Sequence, residues 1–231
     1  MLDPEARAEL RTLPTDLADS VARHLAAAGL HEDPDVGYQH AKEARKLAAR
    51  VGVVREACGI AAYRAGQWAE ALAELRAARR LTGRNTMLPL IADSERALGR
   101  LDRALANVHA PEAAALDRAT QIELVIVESG IRRDQGLPEA ALIALQVPEL
   151  TSKRKHPWSA RLFYAYADTL LELGRREEAR DWFARAAASD PDGETDAAER
   201  FDDLDDVNLE DLDDVESDEP GEVNFDDLGE A

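Results

Sequence analysis

The chain has 231 residues, 45% hydrophobic and 5% aromatic, and its richness in Ala, Leu, Glu and Arg favours helices over a sandwich or barrel. Its one cysteine, Cys58, excludes an internal disulfide and a cysteine-rich zinc site and points to a reducing compartment. The net charge of −19 is uneven: residues 201–231 hold 15 acids and no base, which leaves −4 for residues 1–200. An all-α protein is therefore expected, with a helical domain over 1–194 and a disordered acidic tail over 195–231. No run is apolar for long enough to span a bilayer, and the N-terminus lacks a basic-then-apolar leader, so a cytoplasmic location without membrane contact is expected.

In chain order, Asp3-Pro4 reads as an N-cap followed by proline at the first helical position, predicting a short helix over 3–13. Glycines that close apolar-periodic segments then fall at Gly29, Gly66, Gly99, Gly136 and Gly174, with spacings of 37, 33, 37 and 38. Five residues after the last four stands an alanine: Ala71, Ala104, Ala141 and Ala179. A small residue there lets two helices approach closely. Pro34, Pro111, Pro138 and Pro157 suit helix starts or loops. Ala71, Leu75 and Ala78 share one helical face, and Ala179, Phe183 and Ala186 repeat that spacing ahead of Pro191.

On these residues the chain resembles the tetratricopeptide repeat (TPR) proteins, whose units pair two helices around such a turn. Cys58-Gly59 stands at the family's Leu-Gly pair, whereas Arg55 and Ala62 replace its bulky aromatics. The resemblance covers roughly residues 15–191 and implies a right-handed α-solenoid of about five helix hairpins. Scarce lysine (Lys42, Lys46, Lys153, Lys155) against abundant arginine points to a high-GC genome, and the resemblance is to TPR proteins of high-GC bacteria.

Groups that could do covalent chemistry do not converge. His24, His31, His40, His109 and His156 show no metal-ligand spacing and read as scattered surface residues, and nucleotide and serine-hydrolase motifs are missing. The loop Asp190–Asp196 alternates acids but lacks the glycine and glutamate of a calcium loop, so it reads as a helix end. Cys58 reads as a core thiol. Neither enzymatic activity, a metal nor a cofactor is expected.

The resemblance implies a ligand groove lined by the first helix of each unit. Its offsets select Tyr63, Arg64, Arg96, Arg133, Tyr164 and Asp168, a set suited to an acidic segment with aromatic or aliphatic anchors. The family's chaperone-tail clamp is not reproduced, because Asp19, Arg23, Glu123 and Arg161 stand at its positions. The expected function is a scaffold or adaptor that binds a peptide or surface of another protein, without direct nucleic-acid binding. The alternative is a regulator whose acidic tail competes with nucleic acid for a basic partner.

The tail carries a motif of its own. Phe201, Leu204, Leu209 and Leu212, then Phe225 and Leu228, punctuate the acids at every third position within each motif. A tail that only solubilises needs no such anchors, so docking on the groove of the same chain (autoinhibition) or on another protein is expected. Further basic acceptors are Arg76, Arg79, Arg80 and Arg84, and the run 153–156.

Overall fold

A computed structural model describes residues 4–152 and 154–213, with side chains as far as Asp205. Among the described residues there are twelve α-helices, two short 3-10 helices and no strand. The chain forms two compact units, Met1–Thr151 and Ser152–Ala231.

The first unit holds α1 (Pro4–Leu10), α2 (Thr15–Leu30), α3 (Pro34–Ala48), α4 (Gly52–Arg64), α5 (Trp68–Thr82), α6 (Leu88–Ala97), α7 (Leu101–Val108), α8 (Arg118–Asp134) and α9 (Pro138–Ala144). From α2 onward the helices pair as α2/α3, α4/α5, α6/α7 and α8/α9, and the leading helices α2, α4, α6 and α8 touch one another in sequence. The second unit holds α10 (Ser159–Glu172), α11 (Arg176–Ala187) and α12 (Ala197–Asp213), with α11 packed on both of the others.

One joint recurs in both units. Gly66, Gly99, Gly136 and Gly174 have φ of 67°, 71°, 73° and 72°, the left-handed region that an L side chain enters only at a cost. At the first joint the Gly66 N–H donates to the Tyr63 carbonyl at 3.0 Å and the Gln67 N–H to the Ala62 carbonyl at 2.8 Å. The same two bonds close the joints at Gly99, Gly136 and Gly174. This is the Schellman arrangement, which satisfies the last carbonyls of one helix while turning the chain into the next. The alanines five residues on (Ala71, Ala104, Ala141 and Ala179) are fully buried where the paired helices meet.

Gly29 departs from that pattern. It lies inside the last turn of α2, and the chain leaves through His31 in an extended conformation. The next helix restarts on the Asp33 carboxylate, which accepts from the Asp35 N–H at 2.9 Å, with Pro34 at the first position. Conversely, Gly83 ends α5 at a φ of 71°, a left-handed turn absent from the glycine series read in the sequence.

The cores include both expected helical faces and add residues from other helices. Leu75, Leu88, Ile91, Ile122 and Ile131 are essentially inaccessible in the first unit, as are Ala179, Phe183 and Ala186 in the second. Helices α7 and α9 are only 8 and 7 residues long, and short 3-10 turns at Pro111–Ala115 and Pro148–Thr151 follow them. These are the units whose second helix lacks a bulky aromatic. The N-terminal helix spans Pro4–Leu10, shorter than 3–13, and its proposed cap Asp3 lies outside the described residues.

The stretch expected to be an unstructured tail begins instead as helix α12. Its Ala197 and Leu204 are buried, and the Phe201 ring lies 5.9 Å from the Arg180 guanidinium. Apolar residues at i, i+4 and i+7 supply the packing face that like charge alone would deny. No described helix is long and apolar enough to cross a membrane.

Candidate functional site

The leading helices bring several groove residues into one polar ladder. Tyr63 on α4 donates its hydroxyl to Asp93 on α6. Asp93 also accepts from the Arg96 Nε at 2.7 Å, and Arg96 reaches on to Asp134 on α8 at 3.0 Å. The guanidinium of Arg96 lies over Gly130, where a built Cβ would come within 3.4 Å of its Nε. These ion pairs hold Arg96 in its charged form even though burial opposes it. Arg64 points into solvent, and Arg133 is half-buried.

In the second unit Tyr164 and Asp168 on α10 are covered by α12. Arg200 donates to the Tyr164 hydroxyl at 3.2 Å and to the Asp168 carboxylate at 3.1 Å. Its guanidinium also stands 4.9 Å from the ring centre of Phe183. Burial, together with its bond to Asp196, pushes the Tyr164 phenol up to about 12. The start of the tail thus occupies these two positions. Of the tail motif, Phe201 and Leu204 pack in this unit, the side chains of Leu209 and Leu212 are not described, and Phe225 and Leu228 lie outside the described residues.

The second basic cluster is consumed by structure. Arg76 and Arg100 grip Glu95, whose side chain is 0% exposed. Arg79 bonds Asn85 and Glu112. Arg84, in the loop after α5, holds Glu5 and Glu9 of α1 and Glu56 of α4, clipping α1 onto the hairpin behind it. Arg80 is exposed. In the run 153–156, Lys155 bonds the Ala188 carbonyl and His156 stacks on Trp158, while Lys153 lies outside the described residues.

A second buried carboxylate, Glu74, takes Arg45 at 2.6 Å and Arg55 at 2.7 Å. Arg55, unexpected where an aromatic would pack, is there to neutralise Glu74. The pattern carried a signal: Glu74 falls between Ala71 and Ala78 on the buried face of α5.

Two histidines expected to be scattered are in fact brought together. The Nδ1 atoms of His24 on α2 and His40 on α3 lie 3.2 Å apart because the hairpin folds a separation of 16 residues into contact. Among the described residues no group of three or more His, Cys, Asp or Glu gathers closely enough to hold a metal ion. Cys58 is 1% exposed, and burial pushes its thiol up to about 11, the opposite of an activated nucleophile. Asp190 accepts from Glu194 and Thr195 and shapes the loop between α11 and α12.

A further concavity lies elsewhere, between α1 and α2. It is a cleft of about 770 Å³ whose lining includes Leu10, Leu13, Ala22, Arg7, Arg11, Asp19 and Arg23.

No family model matches this sequence, and no curated protein matches it.

Proposed function

We propose that this protein is a TPR-like scaffold or adaptor: a solenoid of helix hairpins whose leading-helix face binds a segment or surface of another protein. The observation that carries the reading is the joint repeated four times, with its left-handed glycine, paired hydrogen bonds and buried alanine. Hairpins that bury their apolar faces against neighbours leave one extended side open, and that side is what repeat architectures use for recognition. The described side chains supply shape and polar pairing along α4, α6 and α8, which supports a recognition role.

Photo-crosslinking tests this reading. A crosslinker at Arg64, on the leading-helix side, should capture a discrete polypeptide from a cell extract, and unlabelled protein should compete it away. The same group at Arg80 on α5 should not. Equal capture at both positions, or turnover of a substrate by the purified protein, would count against a binding role.

A further inference from the structure

The arginines of the first unit are unequally satisfied. Arg45, Arg55, Arg76, Arg84 and Arg96 each meet one or more carboxylates. Arg7, Arg11 and Arg23 are exposed, and none makes a side-chain hydrogen bond or ion pair among the described residues. All three line the cleft between α1 and α2. Arg7 and Arg11 lie one turn apart, since the Arg11 N–H bonds the Arg7 carbonyl, and Arg23 faces the cleft from α2. The lining between them includes Leu10, Leu13 and Ala22, with Asp19 contributing one negative charge. An apolar floor edged by unpaired guanidinium groups matches a ligand with apolar anchors set among carboxylates.

We propose that the α1–α2 cleft is a docking site for an acidic peptide segment of a partner protein, one that sets apolar anchors among its carboxylates. The anchors would seat on Leu10, Leu13 and Ala22 while the flanking carboxylates pair with Arg7, Arg11 and Arg23. Each guanidinium can take a carboxylate through two parallel N–H donors, which gives the site direction as well as charge. The inference rests on the protein-binding reading but assigns it a second surface, separate from the leading-helix ladder.

A probe of this chemistry is at hand in the sequence: residues 221–231, in which Phe225 and Leu228 bracket two aspartates. The labelled peptide, titrated into the full chain by fluorescence anisotropy, should bind and should weaken steeply as salt rises. Arg11→Glu with Arg23→Glu should weaken binding at least tenfold while leaving the melting temperature and circular dichroism of the protein unchanged. A probe with both anchors changed to alanine should lose binding to a similar degree. Absence of binding, or affinity indifferent to the charge reversal, would overturn the proposal. If changing Phe225 and Leu228 to alanine in the full chain raises probe affinity tenfold, the cleft is filled by the protein's own segment and the partner assignment fails. If the probe fails to bind while crosslinking at Arg64 persists, only this site, and not the scaffold reading, is wrong.

Discussion

Gly59 fixes how closely α4 and α5 approach, and replacing it isolates that contact. A Cβ at this position would stand 2.6 Å from the Leu75 Cγ, 2.7 Å from its Cδ2 and 3.0 Å from its backbone nitrogen. Leu75 is fully buried, and a backbone atom does not move with a rotamer, so Gly59→Ala forces the helices apart. Overpacking of this kind costs about 1–3 kcal/mol. Alanine returns up to about 1 kcal/mol of helix propensity, so with the full return the net loss is roughly 0–2 kcal/mol. Gly29→Ala is the control, because a Cβ there meets nothing within 4 Å and the residue is helical. Propensity largely cancels between the two variants, leaving the steric term as their difference. Urea unfolding followed by circular dichroism should place the Gly59→Ala midpoint below that of Gly29→Ala by about 0.5–1.5 M, at a slope of about 2 kcal/mol/M for both. Coincident midpoints would mean that α4 and α5 are not held together at Gly59.

Three further outcomes follow from the charge network and the core. Arg76→Ala with Arg100→Ala strands the buried Glu95 carboxylate and should cost about 3 kcal/mol in urea unfolding; adding Glu95→Leu should recover at least half of it. Burial raises the Glu56 carboxyl above its ordinary value, so its contribution to stability is fully present below its unfolded value and is lost as pH rises through the folded one. Glu56→Gln should accordingly raise the melting temperature near pH 7 relative to the wild type, and that advantage should vanish in acid. Cys58 should resist a maleimide in the folded protein and react at least a hundredfold faster in denaturant.

The hairpin joints were legible because each rests on a demand that one residue type meets cheaply. A left-handed residue after a helix calls for glycine, and close packing five residues later calls for alanine. Gly29 and Gly83 mark the limit of that logic. Gly29 follows apolar periodicity but sits where the helix has not yet ended, because the signal that stops α2 and restarts α3 lies in Asp33-Pro34. Gly83 ends α5 with no alanine at the repeat spacing to flag it. The opening of the tail was misread for a related reason. The acid count begins at Phe201, but the helix begins at Ala197, and Arg200, the last base before the acids, carries the contacts that bind it to Tyr164 and Asp168.

The candidate site was less legible, because charge is local and the sequence reports it only as a sum. Residues 1–200 are nearly balanced, yet balance is reached by different routes in different places. Along α4, α6 and α8 the carboxylates Asp93 and Asp134 cancel Arg96, so the central arginine of the expected groove set is internally compensated there. At Glu74 and Glu95 two arginines converge on one buried acid, a pairing set by helix spacing across 19 and 29 residues in the one case, and 5 and 19 in the other. Where no described carboxylate bonds the guanidinium groups, as at Arg7, Arg11 and Arg23 with the single acid Asp19 in their cleft, positive charge survives at the surface. A ligand of opposite charge gains most where it displaces water rather than an existing carboxylate, and among these arginines that condition is met at the α1–α2 cleft and not at Arg96.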